Sequence, residues 1–199
     1  MTQKEQQVAG LVLAAGGGRR LGGRPKALLE HRGRPLVEHA VGVLRAAGCT
    51  RVHVVLGAGA AVVRERAELG DCVLVDNPDW ERGMGTSLRA GLDSLTGTGA
   101  RAALVSLVDQ PGIGIEAVAR VLAAYDGESS LVSAAYEGVR GHPVLFGAGH
   151  WAGIARAATG DQGARGYLKE HAAEVRLVEC GDVAQPYDID TEADLSHLE

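Results

Sequence analysis

Between Leu13 and Leu29 the chain reads LAAGGGRRLGGRPKALL, setting five glycines and four basic side chains into one short stretch behind an apolar run. Glycine admits positive φ and brings no Cβ, so backbone N–H groups along Gly16, Gly17, Gly18, Gly22 and Gly23 can close around an anion. Arg19, Arg20, Arg24 and Lys26 add cations, and phosphate is the guest that suits such a loop. Each close ion pair is worth up to roughly 4 kcal/mol at an effective dielectric of 20, before desolvation is subtracted. A triphosphate would engage several at once. Two familiar phosphate loops fail on spacing. GxGxxG needs glycine where Leu21 stands and an acid where the chain has LGAGA; GxxxxGK[ST] needs Lys and Ser or Thr where Gly23 and Arg24 stand.

Carboxylates that could complement such a loop occur in LVDQPGI and DIDTEADL. Asp109 ends the apolar run AALVSLV and precedes Gln110-Pro111, so rigid backbone holds it at a strand's carboxyl end. Mg²⁺ takes hard oxygen ligands and keeps waters and phosphate oxygens, so one or two protein carboxylates suffice. Asp109 is the first candidate ligand. Asp188 and Asp190 alternate along an extended backbone and should point to opposite sides, so only one of them would share an ion with Asp109. Asp194 reads as a structural acid on the following helical turn. No Ser-His-Asp or Cys-His arrangement is visible.

These residues need a scaffold that brings loops to one edge. Strand-length apolar runs, 8–14, 51–56, 72–76, 102–108, 131–136 and 175–178, alternate with helical periods at 35–47, 60–69, 86–95, 115–125 and 163–171. Residues 138–146 read as an added antiparallel strand turning at EGVRG. The pattern predicts a single-domain α/β sandwich of three layers with a mostly parallel central sheet. In such sheets ligands sit beyond the strands' carboxyl ends. The candidate loops follow Ala14, Leu56, Asp76 and Val108, with DID returning near the C-terminus.

With 199 residues and 46% hydrophobic content, one core is the simplest expectation. The net charge of −5 speaks against a protein that coats nucleic acid. No apolar run approaches membrane-span length and the opening MTQKEQQ is polar, so a cytoplasmic protein without membrane partners is expected. Cys49, Cys72 and Cys180 lack CxxC spacing and read as small hydrophobes.

The pattern LAAGxGxRxG followed by Pro25-Lys26 resembles the nucleotidyltransferases of the MobA-like superfamily with its GT-A-like fold, and most of all the molybdenum cofactor cytidylyltransferase branch. The resemblance continues through NPDWERGMGTSLRAGL (77–92), LVDQPGI (107–113), GHPVLF (141–146), GDQGARGYL (160–168) and DIDTEADL (188–195). It implies one Rossmann-like domain over 1–199, with 1–111 mainly binding nucleotide and 112–199 mainly binding acceptor. The implied reaction is Mg²⁺-dependent transfer of a nucleoside monophosphate to a phosphorylated small molecule of molybdopterin type, releasing pyrophosphate. Arg20, Lys26 and Asp109 would be catalytic, with Asp109 and Asp190 holding the metal. Leu13, Ala14, Ala15, Gly16, Gly17, Gly18, Gly57, Asn77 and Ser87 would join them around the nucleotide. Gly141, His142, Pro143, Asp161 and Arg165 would meet the acceptor.

Ala15 stands where guanylyltransferases of the family more often carry glycine, which favours CTP over GTP. The lengthened approach Gly23-Arg24 leaves open whether Arg24 replaces or supplements Arg20. Trp80 and Trp151 read as packing or lid residues, with base stacking as the alternative. A monomer or small homo-oligomer is expected. The rival functions are an NAD(P)- or flavin-dependent oxidoreductase on the same fold and a non-catalytic nucleotide or cofactor carrier.

Overall fold

The computed structural model describes residues 7–49 and 51–198, so the polar opening, apart from Gln7, lies outside the described residues. In chain order the elements are β1 (Val8–Ala14), β2 (Glu30–His31), β3 (Arg34–Pro35), α1 (Leu36–Ala47), β4 (Val52–Leu56), α2 (Ala60–Arg66) and β5 (Val73–Asp76). There follow α3 (Met84–Leu95), β6 (Ala102–Leu107), α4 (Ile115–Ala123), β7 (Leu131–Tyr136), β8 (Val139–Gly147), α5 (Ala148–Ala157), α6 (Arg165–Glu170) and β9 (Val175–Glu179). Short 3₁₀ turns join several of them.

Seven strands form one sheet in the order β5-β4-β1-β6-β8-β7-β9, and β2 with β3 forms a separate small hairpin. β5, β4, β1 and β6 run parallel; β8 is antiparallel to both its neighbours, and β9 runs parallel to β7. The antiparallel strand therefore sits inside the sheet rather than on its edge. Its last five residues are buried, which an edge position would not demand.

β1 is buried along its whole length because both faces are covered. Val8, Val12 and Ala14 point into one core with α1, α2 and α4, while Ala9, Leu11 and Leu13 point into the other with α3, α5 and α6. On α1 the apolar positions Leu36, Val37, Ala40, Val41 and Leu44 form one stripe, and Gly48 at φ 116° ends the helix by donating to the carbonyls of Leu44 and Arg45. The result is the expected three-layer α/β sandwich. β1, β4, β5 and β6 end at the same edge, so the loops after Ala14, Leu56, Asp76 and Leu107 gather there.

The β2–β3 hairpin, α5 and α2 depart from the sequence reading, the hairpin being too short to show a strand period. α5 was not anticipated, since AGHWAGIARA buries only His150 and Ile154 and carries no apolar stripe. α2 stops at Arg66, where Ala67 turns extended, rather than running to Leu69. Among the described residues no helix is long and apolar enough to cross a membrane.

Candidate functional site

The loop leaving β1 is shaped by its glycines. Gly18 lies at φ 56°, and its carbonyl accepts from Leu21 N at 2.8 Å and Gly23 N at 3.0 Å. A Cβ there would stand 2.2 Å from the Arg24 carbonyl oxygen, so no other residue fits. Arg24 spends its Nε on the Leu21 carbonyl at 2.9 Å. Arg19 and Arg20 instead are exposed and line the cavity beyond the sheet edge. Arg24 thus shapes the loop, and Arg20 faces the cavity.

Lys26 closes the loop and reaches two acids. Its Nζ donates to Asp109 Oδ2 at 2.6 Å and also to Asp190 Oδ1. Burial alone would lower its pKa, but the Asp109 charge and the hydrogen bonds to Asp109 and Asp190 outweigh burial and raise it. Asp109 sits in the turn after β6, and the C-terminal segment is laid against that turn. Ile189 N donates to the Asp109 carbonyl at 2.9 Å, and Gln185 N to that of Gly112 at 3.1 Å. A Cβ on Gly112 would lie 2.3 Å from the Gln185 carbonyl oxygen, so this approach requires glycine. The Asp194 carboxylate then accepts from Asp190 N at 3.0 Å, Thr191 N at 2.7 Å and Thr191 Oγ1 at 2.8 Å. Those bonds, led by the Thr191 hydroxyl, hold Asp194 below the usual carboxylate range.

Residues 184–190 form no regular strand, so the period-two expectation for Asp188 and Asp190 does not apply. Both line the cavity. Asp188 accepts from Gln110 Nε2 at 2.8 Å. Burial, and behind it the charges of Asp109 and Asp190, keep it above the usual range despite that bond.

The donor set fits a hard divalent cation. Two carboxylates that meet one ammonium converge within reach of a single ion, and they offer only oxygen. No group of three or more His, Cys, Asp or Glu is gathered for a metal among the described residues.

A cavity of about 940 Å³ opens above these groups. Of the residues singled out in the sequence, Leu13, Ala15, Gly16, Gly17, Gly18, Arg20, Lys26, Ser87, Asp109, Gly141, His142, Asp161, Arg165 and Asp190 all line it. Ala14, Gly57, Asn77 and Pro143 do not. Ala14 belongs to the opposite core. Gly57 is covered by Trp80. Asn77 is buried and spent on the turn before α3: its Nδ2 donates to Thr86 Oγ1 at 2.8 Å and Ser87 Oγ at 2.9 Å, while its Oδ1 accepts from Asp79 N at 3.1 Å. Pro143 is buried in β8. Gln110 and Arg140 also line the cavity without having been assigned a role. The first lies inside LVDQPGI and the second inside EGVRG, so each belonged to a recognised segment without being singled out.

On the β8 side the His142 carbonyl accepts from Tyr136 Oη at 2.7 Å and that of Gly141 from Ser133 Oγ at 2.9 Å. Burial, then the nearby Arg165 charge, pushes the His142 imidazole down to about 4. It is neutral at pH 7 and can offer a lone pair or an N–H to a ligand. Because the folded value lies below the unfolded one near 6.5, the unfolded chain binds the proton first as pH falls. Stability is therefore lost between pH 6.5 and about 4. With solvent screening included, about 1–3 kcal/mol of the acid-side loss belongs to this residue. Urea titrations at pH 7 and 4.5 should show a smaller pH difference for His142→Gln than for the parent. Equal differences would place the imidazole in solvent.

Residues 10–175 match the MobA-like NTP transferase domain. The nicotine blue oxidoreductase of Paenarthrobacter nicotinovorans is 42% identical over 191 residues, 92% of either chain. The molybdenum cofactor guanylyltransferase of Shewanella halifaxensis strain HAW-EB4 is 30% identical over 140 residues, 70% of this chain and 66% of that one. The crystal structure of Rv0371c from Mycobacterium tuberculosis H37Rv superposes with TM-score 0.82 at 30% identity, covering 100% of this chain and 98% of its own. The same protein has been solved in complex with manganese, with TM-score 0.78 at 27% identity over 97% and 98% of the two chains. The chain belongs to the MobA-like NTP transferase domain family.

Proposed function

We propose that this protein is a metal-dependent nucleotidyltransferase that moves CMP from CTP to a phosphorylated acceptor of molybdopterin type. The observation that carries this reading is the Lys26 ammonium bridging Asp109 and Asp190 beneath an arginine-bearing glycine turn, all on one cavity. Arg19 and Arg20 hold the outer phosphates, and Lys26 turns toward the α-phosphate. Asp109 and Asp190 hold Mg²⁺, which when bound neutralises phosphate oxygens and eases departure of pyrophosphate. The acceptor's phosphate oxygen is already anionic, so the protein's contribution is alignment and charge, and no general base is required. Arg165 and Arg140 hold the acceptor, with neutral His142 beside them. Residues 1–111 serve mainly the nucleotide and 112–199 the acceptor, except that Asp190 returns to the metal. The Ala15 methyl on the cavity wall supports CTP over GTP, although one methyl discriminates by only about 1–3 kcal/mol.

The test is pyrophosphate release from each of CTP, GTP, ATP and UTP with Mg²⁺ and molybdopterin. Release from CTP above the others supports the reading, and none from any contradicts it. One observation favours a second reading, an NAD(P)- or flavin-dependent oxidoreductase: the 42% identity to a protein named nicotine blue oxidoreductase. Oxidation of NAD(P)H by a quinone-type dye, without pyrophosphate release from any triphosphate, would select it.

Asp194 tests the metal assignment without touching the ion. Asp194→Ala removes three hydrogen bonds, one from Asp190 N and two from Thr191, that fix the turn carrying Asp190. Mn²⁺ affinity, followed by electron paramagnetic resonance, should fall about 10-fold to 100-fold, as for other lost outer-shell partners. Asp194→Asn keeps an accepting oxygen and should recover most of it.

A further inference from the structure

Gly17 and Gly57 have an explanation that phosphate binding does not supply. Neither lies at positive φ, so conformational freedom is not what keeps them glycine. Space is. A Cβ on Gly17 would stand 2.8 Å from both Cζ3 and Cη2 of Trp80, and one on Gly57 would stand 2.6 Å from its Cβ and 2.7 Å from its Cγ. The side chain therefore runs lengthwise over both glycines, its root on Gly57 and its benzo edge on Gly17. Ala15 presses on Gly57 as well, with its Cβ 2.8 Å from the same added atom. The gap between the opening loop and the end of β4 is thus filled by an indole, and its half-buried remainder lines the cavity.

Trp151 offers a contrast. Its Nε1 donates to the Phe146 carbonyl at 2.9 Å and the residue does not line the cavity, so its role is packing. Trp80 has no such hydrogen bond among the described residues. Its ring packs on Gly17 in the loop that carries Arg19, Arg20 and Lys26, whereas Arg140 and His142 come from β8. A nucleoside attached to phosphates held by that loop meets the indole before it meets any glycine backbone at Gly57.

We propose that Trp80 is the wall on which the nucleobase stacks, with Gly17 and Gly57 kept small to seat it. This rests on the nucleotidyl-transfer reading and names the residue that binds the base. Stacking of a base on an aromatic side chain predicts a loss of about 10-fold to 100-fold when the ring is removed.

The experiment uses the full chain carrying Trp151→Phe, so that Trp80 is the sole tryptophan, titrated with CTP and separately with tripolyphosphate, both with Mg²⁺. CTP should quench the emission. Adding Trp80→Ala should weaken CTP, measured by calorimetry, about 10-fold to 100-fold, and Trp80→Phe should hold it within about 3-fold. Tripolyphosphate, which has no base, should bind all three alike, which also certifies that the loop is intact. Unchanged CTP affinity in Trp80→Ala, or tripolyphosphate weakening in step with CTP, overturns the stacking role while leaving nucleotidyl transfer standing. A parent protein that binds neither probe overturns nucleotidyl transfer itself and the stacking role with it.

Discussion

Asp109→Asn lowers pyrophosphate release from CTP by about a thousandfold or more, because it removes the charge that answers both Lys26 and the divalent ion. The loss should fall on turnover rather than on folding. The Asp109 side chain is 19% exposed and its single ion pair contributes on the order of 1 kcal/mol. At this chain length that is about 2–4 °C in melting temperature. The contact that anchors the C-terminal segment uses the Asp109 carbonyl, which the substitution leaves in place. Stopped-flow detection of pyrophosphate, paired with calorimetric melting, separates the two effects. Retained turnover would remove Asp109 from the chemistry, and a collapse in melting temperature would make its role structural.

Lys26→Met carries the second large effect, with opposite signs for two ligands. Turnover should fall about 100-fold to 1,000-fold, the cost of one preorganised charge aimed at a transferring phosphoryl group. Mn²⁺ alone should bind more tightly than it does to the parent, because Asp109 and Asp190 lose the ammonium that neutralises them both. Arginine should not substitute well, since a planar fork cannot occupy the point between two carboxylates that an ammonium fills. Titrations of Mn²⁺ with and without CTP read both signs. Weaker Mn²⁺ binding in Lys26→Met would mean that Lys26 organises the acids rather than competing for them.

Much of this site was legible in the sequence because it depends on local rules. An apolar run followed by glycines and arginines marks a strand delivering a loop to the sheet edge, and LAAGGGRRL does so on β1. Asp109 after AALVSLV follows the same logic on β6. What was not legible depends on contacts between distant segments. The facing of Asp188 and Asp190 could not be read from alternation, because residues 184–190 are positioned by Asp109, Gly112 and Asp194 rather than by strand pairing. Asn77 carries a polar side chain suited to a ligand, yet its hydrogen bonds are consumed by Thr86, Ser87 and Asp79. α5 lacked a stripe because the β8 strand and α3 beside it need only two of its side chains buried. Gly57 belonged to a recognisable motif but owes its identity to Trp80, a residue 23 positions away.

The most direct test is a crystal structure grown with CTP and Mn²⁺, using the anomalous signal of manganese to locate the ion. The expected peak lies between the carboxylates of Asp109 and Asp190, with the triphosphate along Gly16 to Arg20 and the Lys26 ammonium moved onto phosphate oxygen. Manganese bound elsewhere, or a triphosphate held away from the opening turn, would contradict the assignment of this cavity to nucleotidyl transfer.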